Sequence, residues 1–234
     1  MNFRFLGLFD AVLSTNMSGH AYDLGIPAAF TYVAQAVALN EYRGNTFAYG
    51  RPDPTNIDSM GAFPLESILG GSVPQGQTRI ERGFLGAHAD IGGGFGEGEN
   101  QLSVVALDWM IEQAKLAGVQ MNSGPSTVMA NPVLHDKSNN IQTGQPGQQS
   151  WQEDRTVHYL DGATTTQRQM NTASMSYADT GQFITYTPRS QLPHSTAPGR
   201  EDDIMSSQTG TVNMQQYLAW LQANGYGLSN LRVQ

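Results

Sequence analysis

Two short stretches of this chain end on residues that could do acid–base work. "FLGLFD" runs from Phe5 to Asp10 and stops an apolar, aromatic segment at a carboxylate. "GFLGAHADIGGGFGEG", residues 83 to 98, stops a second apolar segment at His88, with Asp90 two residues on and Gly92, Gly93 and Gly94 behind it. An imidazole suits proton transfer because its ordinary pKa lies near neutrality. A buried carboxylate suits the supporting role, since it fixes the imidazole tautomer and stabilises the imidazolium that forms. In open parallel sheets ligands bind beyond the carboxyl ends of strands, so an Asp and a His at two such ends could meet. The order, Asp before His, is that of the last two members of an α/β-hydrolase triad.

Spacing alone leaves other readings open. Asp10, on spacing alone, is more often a turn or cap residue, and His88 reads as well as a hydrogen-bonded histidine at a strand end. Asp90 can brace the glycine turn or share a metal with His88. The glycines 92 to 94 either admit backbone N–H groups to an anion or form a plain turn. The stretch has no P-loop lysine. His20 and Asp23 sit in loop-like sequence, as a turn or as polar ligands near a cleft. His135 with Asp136, and Glu201 with Asp202 and Asp203, read as solvated loops, with cation binding as the alternative. No His-x-x-x-His or EF-hand spacing occurs, and neither a metal nor another cofactor is expected.

Several elements must position these groups. Residues 3–9 and 78–87 are predicted strands. Residues 26–43 are predicted to be a helix: Pro27 suits a first turn, Ala29, Val33, Ala36 and Val37 recur at helical spacing, and Gly44 is a stop. A helix is also expected over 103–118, capped by Ser103, with Val104, Leu107, Ile111 and Ala114 as its buried stripe. A third is expected near the C-terminus, with Met214, Tyr217, Leu218 and Leu221 on one face and Gly225 past its end. Residues 50–79 read as a long loop with a short helix near "LESIL", and 122–154 as a long polar loop. "RTVHYLDG" and "QFITYTPR" read as an edge hairpin far from the centre. Alternating strands and helices predict an α/β fold, a layered, mainly parallel sheet flanked by helices, in a single domain over residues 1–234.

The net charge is −8, and the twelve Lys and Arg are scattered, so nucleic acid is not an expected partner. The chain has no cysteine, which removes thiolate metal sites and cysteine nucleophiles. The N-terminus shows no signal-peptide pattern. No apolar run approaches the roughly 18 residues of a spanning helix.

Taken together, "FLGLFDAV", "VAQAVALNEYR", "GFLGAHADIGGG", "LSVVALDWMIEQA" and "PVLHD" resemble, in order and spacing over residues 3–136, the type VI secretion phospholipase effectors with an α/β-hydrolase core. The resemblance implies hydrolysis of membrane phospholipid esters by a Ser-Asp-His triad. It also implies a bacterial protein, secreted without a signal peptide and acting in a target cell's periplasm or at its membrane. An immunity protein and a secretion-spike protein are the partners it implies. The family acid falls on Asp10 and the family histidine on His88, with Asp90, Gly92, Gly93 and Gly94 as structural support of the His loop. Asn40 stands where an acidic residue is expected and Tyr42 where a basic one is, departures that bear on contacts of the predicted helix surface.

The family's nucleophile sits on a Gly-x-Ser-x-Gly elbow before the acid, and this chain has no such motif. The expectation is therefore a C-terminal part of an incomplete α/β-hydrolase-like domain whose serine lies on an upstream, serine-bearing segment. The alternative is a non-catalytic remnant acting as a binding or interaction module. Ser72 or Ser18 as a substitute nucleophile ranks last, because neither sits on an elbow. Nothing in the sequence assigns the substrate-binding residues. A base pair of this kind requires the Asp10 and His88 side chains to come within hydrogen-bond reach.

Overall fold

A computed structural model describes residues 3–12, 25–41, 64–122, 127–137, 155–188 and 208–234. His20, Asp23, Ser18, Tyr42, Gly44 and the acidic run Glu201–Asp203 lie outside the described residues.

The centre is a parallel sheet of β1 (Leu6–Phe9), β2 (Tyr32–Ala38) and β4 (Thr78–Phe84), in the order β1-β2-β4. The strand β2 corrects the predicted helix over 26–43. Val33, Ala34, Ala36, Val37 and Ala38 are all fully buried. A central parallel strand is covered on both faces, so its sequence is a near-continuous apolar run, broken here by the buried, hydrogen-bonded Gln35, rather than an alternation. Such a run also satisfies helical spacing, and its alanines favour a helix locally. Tertiary burial overrides that preference.

Alternation along β2 divides the molecule into layers. Ala34, Ala36 and Ala38 face a large core that holds α2 (Gln101–Leu116), while Val37 faces a smaller cluster with Leu65, Val157 and Met170. On this second face stands a small sheet, β3 (Leu65–Glu66), β7 (Thr156–His158) and β8 (Thr164–Thr166), rather than a helix. The loop expected over 50–79 therefore contains β3, and the "LESIL" segment is extended there.

The α2 helix begins at Gln101 with Asn100 as its N-cap. Ser103 lies inside the first turn and donates its hydroxyl to the Asn100 carbonyl (2.6 Å), so it is not the cap residue. The buried face is Leu102, Val105, Ala106, Trp109, Met110 and Ala114, and Leu107 is exposed. The expected stripe was thus rotated about the helix axis. The cause is Trp109 and Met110: these large side chains take the core, and Trp109 meets Phe84 at 5.4 Å between ring centroids.

Two strands, β5 (Thr127–Met129) and β6 (Val133–Asp136), lie within the stretch 122–154 read as polar loop. β5 pairs in parallel with β11 (Leu231–Val233). β6 pairs with β10 (Gln208–Val212), which pairs in turn with β9 (Ile184–Tyr186). The segments read as one edge hairpin, β7 and β9, therefore belong to two different sheets.

A short helix α3 (Tyr177–Thr180) precedes β9. The last helix, α4 (Met214–Ala223), buries Met214, Tyr217, Leu218 and Leu221, the face read from the sequence. Tyr217 accepts the Leu85 N–H at its hydroxyl (3.1 Å), and Tyr226 donates to the Gly83 carbonyl (2.7 Å). The C-terminal part of the chain thereby holds the backbone that leads to His88. No described helix is long and apolar enough to cross a membrane.

Candidate functional site

Asp10 and His88 emerge at the carboxyl ends of β1 and β4, on either side of the end of β2. Asp10 directly follows β1 and adopts a left-handed backbone, φ 46°. That conformation is uncommon for a residue with a Cβ, and Asp and Asn tolerate it best. It turns the chain while the Asp10 N–H donates to Ala36 (2.6 Å) and the carboxylate accepts the Ala38 N–H (2.8 Å). On the other flank, Leu85, Gly86 and Ala87 carry the chain from β4 to α1 (His88–Gly92).

The His88 Nδ1 lies 2.8 Å from Asp10 Oδ2, so the two side chains expected to meet do meet. Asp10 is completely buried, and the His88 side chain is 31% exposed. The His88 N–H donates to Glu41, a buried carboxylate past the end of β2 (3.2 Å). A neutral imidazole that donates from Nδ1 to Asp10 carries its lone pair on Nε2. This is the form a proton acceptor needs.

Arg155, immediately before β7, completes the arrangement. It is fully buried and grips Asp10 with both ends of its fork, Nη1 to Oδ2 at 2.7 Å and Nη2 to Oδ1 at 2.8 Å. Burial by itself would raise the Asp10 pKa. The Arg155 charge and hydrogen bonds, aided by His88, overcome it and hold the carboxyl well below the usual carboxylate range. Asp10 is ionised throughout the physiological range as a result. Nothing in the sequence marked Arg155: it follows a Gln-rich polar stretch and precedes an unremarkable short strand. The segment placed far from the centre by sequence in fact reaches the acid.

The loop after His88 is braced at several points. Asp90 is buried, and one of its oxygens, Oδ2, accepts both the Ala87 N–H and the His135 N–H at 2.9 Å. Oδ1 meets His135 Nδ1 at 3.0 Å. Burial nevertheless raises the Asp90 pKa, against the hydrogen bonds from His135 and Ala87. His135 and Asp136 belong to β6 and are buried, not a solvated loop. Asp136 accepts from Asn40 Nδ2 (3.3 Å) and from the Tyr186 hydroxyl. Phe95 stacks on the His135 ring with centroids 3.5 Å apart.

Asn40 is buried as well, with its Oδ1 accepting the Gly86 N–H at 2.9 Å. It tethers the end of β2 to the His loop and to β6, and is not a contact on a helix surface. Of the three glycines, Gly93 takes the left-handed C-cap position of α1, φ 74°, and the Gly94 N–H returns to Ala89 (2.9 Å). Gly92 has open space around its missing side chain.

Gly86 carries the sharper constraint. Its φ is +120°, and a Cβ there would run into the Asp90 side chain. Gly86→Ala is expected to cost about 3 kcal/mol or more, from backbone strain plus overpacking. Urea denaturation of the variant measures it, and a loss under about 1 kcal/mol would show that the loop relaxes without cost.

The serines considered from sequence are placed in part. Ser72 is exposed, in the loop after β3, where the neighbouring Gly71 N–H contacts Asp161 at 3.3 Å. Ser67 is buried and donates to Glu81 at 2.9 Å. Glu81 also accepts from Gln35 Nε2 (2.8 Å) and the Ile68 N–H (2.9 Å), and burial raises its pKa. Beside this network lies a cavity of about 230 Å³ lined by Leu6, Leu8, Val12, Ile26, Ile68 and Leu160, among others. The apolar face of β1 opposite α2 forms one wall.

Comparison with known families gives one finding. The family described as the type VI secretion system phospholipase effector Tle1-like catalytic domain matches residues 1–113, just under half of the chain. The matched span contains Asp10, His88, Asp90 and the glycine turn, but not Arg155 or His135. A search of curated proteins and a search of solved structures each return no match.

Proposed function

We propose, from a chain whose residues 1–113 match the catalytic domain of type VI secretion phospholipase effectors, that it supplies the acid and base of a serine lipid-ester hydrolase. The observation that carries the reading is the 2.8 Å contact between His88 Nδ1 and a buried, ionised Asp10 at adjoining strand ends. In this reading the sheet β1-β2-β4 is the acid-and-histidine side of an α/β-hydrolase. The serine comes from a segment outside the 234 residues. His88 Nε2 removes the serine proton as the hydroxyl attacks the ester carbonyl, and the imidazolium then protonates the leaving alcohol. Asp10 stays ionised and balances the charge. A water molecule, activated by the same imidazole, releases the fatty acid and restores the serine. The substrate is a phospholipid in the target cell's membrane, reached from its periplasm. An immunity protein and a secretion-spike protein are partners of this reading. Asp90, Gly92, Gly93 and Gly94 shape the loop that presents the base.

The lack of a Gly-x-Ser-x-Gly elbow favours one second reading, a binding or interaction module that keeps the base pair without turnover. Fatty-acid release from phospholipid vesicles separates the two. It is measured for the chain alone and for the chain together with any serine-bearing segment encoded upstream. Turnover only with that segment is the expected result. Vesicle binding with no turnover in either sample would establish the module instead. Turnover by the chain alone, lost in Ser72→Ala, would place the nucleophile at Ser72 and overturn the split.

A further inference from the structure

We propose that Arg155 is a positioning residue for the Asp10–His88 pair: its guanidinium fork fixes both oxygens of the carboxylate that orients the imidazole. The proposal rests on the hydrolase reading for its consequence in turnover, though not for the clamp itself.

A carboxylate that orients a histidine has to stay ionised and must not rotate. Full burial works against the first requirement, and a lone hydrogen bond from the imidazole does not secure the second. Four donors meet the two Asp10 oxygens. Oδ2 receives Arg155 Nη1 (2.7 Å) and His88 Nδ1 (2.8 Å). Oδ1 receives Arg155 Nη2 (2.8 Å) and the Ala38 N–H (2.8 Å). Without Arg155 each oxygen keeps one of these donors, and the carboxylate plane loses its rigid partner.

The fork itself is anchored. Nη2 also donates to the Ala38 carbonyl (3.0 Å), and Nε donates to Gln167 Oε1 (3.1 Å). Gln167 Nε2 donates to the same Ala38 carbonyl (3.1 Å). Arg155 and Gln167 flank the β7–β8 hairpin, so that hairpin, the end of β2 and Asp10 form one hydrogen-bonded unit. A planar, always-charged fork suits this task in a way a lysine ammonium does not, because two parallel bonds set direction as well as charge.

Arg155 also dilutes the negative field that Asp10 projects on the imidazole. Its contribution is therefore orientation and ionisation, not added basicity. Among the described residues, the Arg155 guanidinium and the His88 imidazole face Asp10, and Asp10 in turn acts on the buried Glu81. The clamp gives the part of the chain after the family match a direct role at the site. Arg155 lies beyond residue 113, on the layer that covers the sheet face away from α2.

The test uses Arg155→Gln and Arg155→Lys in the full chain, read first by NMR without any substrate. In the unsubstituted chain the His88 Nδ1–H proton should give a protected, downfield signal, and Asp10 should remain ionised to strongly acid pH. Arg155→Gln should raise the Asp10 titration midpoint by about 1–3 units and weaken or abolish the Nδ1–H signal. Arg155→Lys should keep Asp10 ionised but still weaken that signal, since it restores the charge without the fork. In vesicle hydrolysis with the serine-bearing segment present, Arg155→Gln should lower kcat by roughly 10²-fold at unchanged KM.

An unshifted Asp10 titration with an unchanged Nδ1–H signal in Arg155→Gln overturns the clamp. Should Arg155→Gln fail to fold, Arg155→Lys decides it: a full Nδ1–H signal and unaltered kcat would refute the fork. The NMR changes in a chain that shows no turnover with any serine segment would sustain the clamp and reject the hydrolase reading.

Discussion

If the chain serves the proposed hydrolase, His88→Ala should abolish lipid-ester turnover, lowering kcat by at least ~10³-fold in the presence of a serine-bearing segment. No other group in the described site offers the same service. The imidazole is held by Asp10 at Nδ1 and is partly exposed, whereas Asp10, Asp90 and Arg155 are fully enclosed. The loss should fall on kcat, because the base acts as the ester is attacked and not while lipid binds. KM for vesicle substrate should move little. Asp10→Asn should cost about 10⁴-fold: an amide can present its NH₂ to Nδ1 and so favour the wrong tautomer, with the proton on Nε2. Circular dichroism of both proteins guards against a trivial loss of fold. A His88→Ala enzyme with more than about a tenth of normal kcat would remove His88 from the chemistry.

The second large effect is on stability. Asp10→Ala should destabilise the chain by about 3–5 kcal/mol, because it leaves the buried Arg155 charge without its counter-ion. The double variant Asp10→Ala/Arg155→Met should recover most of that loss, since removing both charges removes the uncompensated one. Denaturant midpoints of the two variants provide the comparison, and a double variant as unstable as the single would show that packing, not charge, dominates there. The pH dependence follows from the depressed Asp10 pKa. Such a group contributes its full stability above its unfolded pKa, close to the ordinary value of 3.8, and loses it as pH falls towards the folded value. The gap between the native chain and Asp10→Ala should therefore be constant from neutral pH down to about pH 5 and narrow progressively below about pH 4.

The two segments that lead to Asp10 and His88 were legible in the amino-acid sequence alone. Apolar runs that stop at Asp10 and His88 are local patterns, and the order of motifs around them resembles a phospholipase effector family whose catalytic-domain model matches residues 1–113. The sequence also determined α4, whose buried face repeats at helical spacing, and the strand β4. Each of these is encoded within a few consecutive residues, so no partner was needed to read it.

Tertiary structure decided the rest. The alanines of β2 satisfy a helix period and a doubly buried strand equally well, and only the layers above and below it choose the strand. Trp109 set the buried face of α2 by size, which shifted it from the stripe that Val104, Leu107 and Ile111 suggest. Asn40 looks like a surface residue until Gly86 and Asp136 are brought to it. Arg155 is the extreme case, since its meaning depends wholly on a carboxylate 145 residues earlier. Charge pairing across such a separation leaves no periodic or local trace. It exists only once the β7–β8 hairpin lies against the sheet and the two charges leave water together.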